Sequence, residues 1–255
     1  MDVTLVTGAS SGLGEIFARR LAAKKQNLVL VARRGVKLNE LADELRQLYG
    51  ISVIVHAIDL SAHNAAIKLL TKLTAENLEV TCLINNAGFG MNGPFAKQDI
   101  ARQTEMIGLN CTALMQLCHA VLPAMQKRRA GSILNVASIV AFQAGPGMAV
   151  YYASKAFVLS FSEALHEEVK TQGIKVSCLC PGPTKTEFFD VAGAGDLRLT
   201  KLAGSAEKVV DDGLAALERN QGFIISGVMN KIFAQGSRIT PRALTRRIAG
   251  HLNRY

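Results

Sequence analysis

Tyr151 and Lys155 stand four residues apart in "VYYASKAFVLSFSEALHEEV", residues 150–169. Residues at that spacing share one helix face, so a phenol and an ammonium would be held close together. Such a pair could move a proton. The spacing is also common by chance, and an exposed tyrosine near a solvated lysine is the better reading of the pair taken alone.

A second stretch points to a nucleotide. "TGASSGLG", residues 7–14, places Gly8, Gly12 and Gly14 in a G-x-x-x-G-x-G pattern between a strand-like and a helix-like run. Small residues there, with Ser10, Ser11 and Leu13 between the glycines, let backbone amides approach a pyrophosphate at a helix N-terminus. The pattern differs from G-x-G-x-x-G, but the physics is shared. An ordinary Gly/Ser turn is the competing reading, and three glycines with two serines in that position favour the nucleotide. After the second strand an NAD-binding sheet carries an acid for the ribose hydroxyl. Here Arg33 and Arg34 stand there, and the first acid is Glu40. Two guanidiniums suit a 2′-phosphate, so the expected cofactor is NADP(H).

These residues must be carried by alternating strands and helices. "VTLVT" precedes a helix at about 14–25, "NLVLVA" one at 36–49, and "SVIVHAID" one at 62–76. "VTCLINNA" leads to helical patterns at 100–109 and 111–128, and "GSILNVAS" to the helix with Tyr151. "IKVSCLCPG", a helix near 206–219 and a short strand at "GFIIS" follow. Near-continuous apolar strands between helices predict a doubly wound, mainly parallel seven-stranded α/β sheet with helices on both faces, a Rossmann fold. One domain over residues 1–255 is expected, since no linker divides the pattern. The helix at 111–128 and the one with Phe157, Val158, Leu159 and Phe161 are apolar almost all round. Each must be buried on more than one side, which predicts a homo-dimer or homo-tetramer.

Composition narrows the classes further. With 255 residues, 49% hydrophobic and only 19% charged, the chain is neither disordered nor a solenoid. Met1 and Asp2 lead straight into the first strand, leaving no room for a signal peptide, and no run of 18 apolar residues occurs. The five cysteines, Cys178 and Cys180 among them, show neither redox nor zinc spacing and read as free thiols in a reducing cytoplasm. The five histidines have no metal-ligand spacing, so no metal is expected. Six of the nine units of net positive charge lie in the C-terminal segment 230–255, which contains no acid. A helix starting near Pro241 and docked on the body or a neighbouring subunit is the favoured reading of that segment. A membrane-surface helix and a landing site for an acidic protein are less favoured, and nucleic acid is not expected.

Taken in order, the motifs resemble the short-chain dehydrogenase/reductase family. They are "TGASSGLG", Asp59 after the third strand, "NNAG" at 85–88, Asn110, Ser138 thirteen residues before Tyr151, "YYASK" at 151–155 and "PGPTKT" at 181–186. The likeness covers essentially the whole chain and overturns the plain reading of Tyr151 and Lys155, leaving Tyr152 as the bystander. It implies a carbonyl reduction, or its reverse, with Tyr151 as general acid or base. A free phenol has a pKa of about 10, and the Lys155 ammonium with oxidised nicotinamide's positive charge is expected to lower it. By the same resemblance Lys155 also holds the nicotinamide ribose, Ser138 hydrogen-bonds the substrate oxygen, and Asn110 holds a water in a proton relay. Asp59, with Leu60 beside it, would meet the adenine. Asn86, Ala87 and Gly88 would line the adenosine ribose and the floor of the site. Pro181, Gly182, Thr184 and Thr186 would complete the cofactor site around the nicotinamide.

Substrate identity falls to three loops, at 88–95, 140–149 and the substrate loop 187–204. Phe89, Phe95, Phe142, Met148, Phe188 and Phe189 there suggest an apolar pocket for a hydrophobic ketone or aldehyde. Two alternatives stand beside it: reduction of a 3-oxoacyl thioester on a carrier, and a noncatalytic NADP(H)-binding regulator. A regulator has no need of the intact Asn110, Ser138, Tyr151 and Lys155 set.

Overall fold

Seven parallel strands form one sheet in the computed structural model, which describes residues 1–184, 186–187 and 204–253. They are β1 (Asp2–Thr7), β2 (Leu28–Ala32), β3 (Val53–Ala57), β4 (Glu79–Asn85), β5 (Gly131–Val136), β6 (Ile174–Cys180) and β7 (Phe223–Ile225). Their spatial order is β3-β2-β1-β4-β5-β6-β7. Strand order therefore reverses between β1 and β4, and a cleft opens beyond their carboxyl ends. Runs such as Leu28–Ala32 are apolar on both faces because both faces are covered.

On one face lie α1 (Gly12–Ala23), α2 (Gly35–Tyr49) and α7 (Ala206–Glu218), which bury Phe17, Leu21, Leu38, Leu45, Val210 and Leu214. On the other lie α3 (Ala65–Ala75), α5 (Leu114–Arg128) and α6 (Ala149–Val169), with Leu69, Leu73, Leu117, Val121, Val158 and Leu165 in the core. The sequence reading separates two helices at residue 110. The structure instead runs α4 (Ile100–Ile107) into α5 through a wide turn, Gly108–Ala113. An added residue in an i→i+5 turn changes which way a side chain faces without ending the helix, and Asn110 sits in it. The joined helix is long and apolar enough by length and composition to cross a membrane. Here Leu114, Leu117, Cys118, Val121 and Met125 pack it into the core.

Two further elements close the chain. α8 (Val228–Ile239) is absent from the sequence reading, because Gly227 and Gly236 break the helical pattern there. Gly227 at its start has φ +89°, a conformation that glycine adopts without strain. α9 (Arg242–Leu252) follows Pro241 as expected and docks through buried Thr245, Ala249 and Gly250. The substrate loop 187–204 lies outside the described residues except for its two ends, and Phe188, Phe189, Arg254 and Tyr255 lie outside them too. Its far end returns to the segment after β6: Gly204 N donates to Pro183 O at 2.9 Å.

A buried polar chain ties the central strands to the helix that carries Tyr151. Asn85 Nδ2 donates to Asn135 Oδ1 at 2.9 Å, and Asn135 Nδ2 donates to Ser162 Oγ at 2.9 Å. Asn135 is fully buried. Asn135→Ala strands a buried amide donor on Asn85 and should destabilise the protein by about 2 kcal/mol. Urea unfolding checks this, and a loss below about 0.5 kcal/mol would show that the chain of bonds contributes little.

Candidate active site

The glycine loop is shaped by contacts that forbid side chains. Gly8 and Gly12 have φ +67° and +56°. A Cβ on Gly14 would lie 2.1 Å from Gly8 O, so α1 can start only where that residue is glycine. Ser11 precedes α1 in extended backbone and makes no capping bond with its side chain. The first-turn amides thus keep their donors for an anionic partner. Ser10, Ser11, Gly12 and Leu13 all line the cleft, whereas Gly14 supports it from beneath.

The arginine corner holds an anion from within the chain. Arg34 Nη1 donates to Glu187 Oε2 at 2.8 Å and Lys37 Nζ to Glu187 Oε1 at 3.4 Å. Arg34 also donates to Ser10 Oγ at 3.1 Å and to Ser10 O at 3.2 Å. The Arg34 bond, with Lys37 adding, holds the Glu187 carboxyl below its usual range. A corner that orders one carboxylate fits another anionic oxygen group. Lys37 was missed because it lies beyond the arginine pair in sequence and joins them only through the first turn of α2. Arg33 stands 3.9 Å from Asp59. Burial works against ionisation of Asp59, but bonds from Ser61 and the Arg33 charge hold it below the usual carboxylate range. Leu60, Asn86 and Ala87 line the same cleft.

The catalytic candidates converge at the other end. Just beyond β5 stands Ser138, whose Oγ donates to Pro181 O at 3.4 Å and accepts from Val140 N at 3.3 Å. The Ser138 hydroxyl hydrogen-bonds the Tyr151 phenol. Lys155 donates to Val136 O at 2.9 Å, and its Nζ lies 5.9 Å from the centre of the Tyr151 ring. Both side chains are buried. Burial is the largest influence on each: it pushes the Tyr151 phenol up, against the Ser138 bond, and the Lys155 ammonium down to about 8. The expected lowering of the phenol by Lys155 is therefore not met among the protein's own groups. Desolvation penalises phenolate more than an ammonium over the ring can offset.

Asn110 lies behind this pair, not in the wall of the cavity. Its Nδ2 donates to Phe89 O and to Ser154 Oγ, each at 3.0 Å, and its Oδ1 accepts from Phe89 N at 3.1 Å. The carboxamide thus braces the chain after Gly88. A Cβ on Gly88 would lie 2.9 Å from Asn110 Oδ1 and 3.4 Å from Lys155 Nζ. On the opposite wall stand Pro181, Gly182, Thr184 and Thr186. Thr184 Oγ1 donates to Gly182 O at 2.9 Å, and Thr186 packs across the cleft over Gly12.

The cleft has a volume of about 370 Å3 and runs from the arginine corner to Tyr151. Phe89 and Met148 line its far end as expected. Phe95 does not: it is 58% exposed. Phe142 does not either, since it packs on Phe223 at 6.3 Å beside the core. Two residues there escaped the sequence reading. Tyr152 is no bystander; it is buried, edge-on to Tyr151 with ring centres 6.3 Å apart. Asn253, from the end of the chain, lines the same cavity.

Known proteins with this arrangement are informative. The short chain dehydrogenase family matches residues 2–195. Sulfoacetaldehyde reductase 2 of Chromohalobacter salexigens is 37% identical over 197 residues, 76% of this chain and 77% of that one. The very-long-chain 3-oxoacyl-CoA reductase of Pyrenophora tritici-repentis is 33% identical over 222 residues, 86% of this chain but 64% of that longer one. Among solved structures, a short-chain dehydrogenase from Sphingobium yanoikuyae in complex with NADPH superposes with a TM-score of 0.83 at 34% identity, covering 96% of this chain and 95% of that one. The family match over most of the chain and these likenesses show that the chain belongs to the short-chain dehydrogenase/reductase family.

Proposed function

We propose that the chain is an NADP(H)-dependent oxidoreductase that reduces a ketone or aldehyde to an alcohol, or runs the reverse, with Tyr151 as general acid or base. The observation that carries this reading is the buried Tyr151 phenol, bonded to Ser138 and backed by Lys155, at the end of a cleft whose other end is cationic. The uncapped start of α1 would hold the pyrophosphate, and Arg34 with Arg33 and Lys37 the 2′-phosphate. Lys155, beside Gly88, would hold the nicotinamide ribose. Bound there, the cofactor supplies or takes hydride and, when oxidised, adds a positive charge near the phenol.

The chain's own groups do the rest. Burial keeps Tyr151 protonated, which suits it to deliver a proton to a carbonyl oxygen as negative charge develops there. The Ser138 hydroxyl, held by Val140 N, would stabilise that charge by turning its one proton from Pro181 O to the carbonyl oxygen. The Lys155 ammonium, pushed down to about 8, can pass a proton back toward the phenol near neutrality. Asn110 fixes the Phe89 backbone and so the floor on which the substrate rests.

Ile139, Val140, Phe89, Met148 and Leu109 give the substrate end an apolar lining, which supports a hydrophobic carbonyl compound. A second reading, reduction of a 3-oxoacyl thioester, is favoured by the likeness to the fungal 3-oxoacyl-CoA reductase. A homo-oligomer is part of the proposal: Met115 on α5 and Phe157 on α6 are 42% and 39% exposed, and Phe157 stacks on Phe161.

Three outcomes are expected. Oxidation of NADPH, followed by absorbance over a panel of ketones, aldehydes and 3-oxoacyl thioesters, should fall about 10²- to 10⁴-fold in kcat for Tyr151→Phe with NADPH affinity retained. Tight NADPH binding without wild-type turnover on any substrate would shift the reading to a nucleotide-binding regulator. Arg34→Ala should raise KM for NADPH about tenfold or more and leave that for NADH nearly unchanged; equal effects on both would remove the 2′-phosphate from this corner. Light scattering should give a dimer or tetramer, and Phe157→Glu should reduce its mass; a monomeric wild type would sink the subunit reading.

A further inference from the structure

Among the described residues after β7, Asn253 reaches the cavity. Asn253 is 1% exposed and ends α9, its N–H donating to Ala249 O at 2.9 Å. Its carboxamide makes two long-range bonds. Asn253 Nδ2 donates to Pro146 O at 2.9 Å, and Tyr152 Oη donates to Asn253 Oδ1 at 3.3 Å. The same side chain lines the cavity that Tyr151 lines.

Tyr152 lines that cavity, and Pro146 stands two residues before Met148, which lines it too. Pro146 lies in the loop between β5 and α6, where Gly147 O accepts from Gly93 N at 2.8 Å. That loop is therefore clamped between the segment after β4 and the carboxamide from the C-terminus. Gly145 makes the clamp possible, since a Cβ there would lie 2.4 Å from the Tyr152 ring, whereas one on Gly250 would only touch Pro146 at an ordinary 3.5 Å. Ala249, fully buried, joins Phe89, Met106, Met148, Tyr151 and Tyr152 in one apolar cluster.

We infer that Asn253 is a substrate-positioning residue: by holding Tyr152 and the Pro146 carbonyl it sets the shape of the carbonyl pocket, and with it which substituents fit beside Tyr151. This rests on the oxidoreductase reading. A carboxamide suits the task because it accepts from the phenol and donates to the carbonyl at once, which a hydrophobic residue of the same size cannot do. Its removal leaves a buried hydroxyl and a half-buried carbonyl short of a partner and loosens the loop.

The test uses the full-length enzyme with the carbonyl substrate that wild type turns over best, and three variants: Asn253→Ala, Tyr152→Phe and both together. Asn253→Ala should raise KM for that substrate about tenfold, lower kcat less, and leave the NADPH dissociation constant within about twofold. Tyr152→Phe removes one of the two bonds but keeps the ring, so it should show a smaller rise in KM. The double variant should resemble Asn253→Ala, because the two residues share one bond. Bulkier ketones should lose less than small ones. An unchanged KM in a variant that melts like wild type overturns the inference, as does a strictly additive double variant. Equal loss of kcat and NADPH affinity also overturns it, since that pattern marks general loosening of the fold. If Asn253→Ala fails to fold, Tyr152→Phe alone decides: a KM unchanged from wild type overturns the inference. Absence of wild-type turnover withdraws the oxidoreductase reading and this inference together, whereas normal wild-type turnover with unaltered variants withdraws only the second.

Discussion

The close approach of β1 and β4 at their carboxyl ends governs the rest of this molecule. Thr7 Oγ1 accepts from Asn86 N and from Ala87 N, each at 3.0 Å, and donates to Ile84 O at 3.3 Å. Asn86 Nδ2 returns a bond to Thr7 O at 3.0 Å and lies within 3.3 Å of Gly8 O. One hydroxyl and one carboxamide thus bind two strands whose helices leave to opposite faces, and the diverging helices leave a cleft there. The glycine loop starts one residue later, so its position follows from the lock. The demand for glycine at 8 and 14 has the same origin, since Cβ atoms there would strike Asn86, Ala87 or the loop itself.

From that lock the reacting groups are placed by rigid elements. β5 delivers Ser138, and α6 delivers Tyr151 and Lys155, with Asn135 and Ser162 joining strand to helix. The polar atoms involved are buried and bonded, a condition that tolerates little displacement. Burial also decides the electrostatics. A phenol and an ammonium this deep are both driven toward their neutral forms, since desolvation penalises the charged form of each. The Lys155 ammonium, anchored on Val136 O, is less a direct electrostatic partner of the phenol than the spacing implies.

Much of this was legible from sequence because it is local. Gly8, Gly12 and Gly14 lie within seven residues, Tyr151 and Lys155 within one helical turn, and strands apolar on both faces announce a covered parallel sheet. The unread parts depend on contacts between distant segments. Tyr152 looked idle beside Tyr151, since its partner is 101 residues away. Lys37 enters the cationic corner only because α2 turns it toward Glu187, 150 residues later. Phe95 and Phe142 have the composition of pocket residues, but one faces solvent and the other was claimed by the core beneath β7. Local pattern says what a residue can do; it does not say which of two apolar environments will take it.

The C-terminal segment shows how the two kinds of constraint combine. Its charge is conspicuous in sequence, yet the residues that dock it are the inconspicuous ones: Thr245, Ala249, Gly250 and Asn253 are buried while Arg242, Arg246 and Arg247 stay exposed. Small side chains let α9 come close to the loop before α6, and closeness is what brings the Asn253 carboxamide within bonding distance of Pro146 and Tyr152. The Ser138, Tyr151 and Lys155 side chains are thus placed by β5 and α6, while the loop before α6 and the Tyr152 hydroxyl are held by Asn253 after α9. Separation of this kind follows from topology: the sheet's switch point fixes where the cleft opens, and the chain after β7 reaches its far end through Asn253.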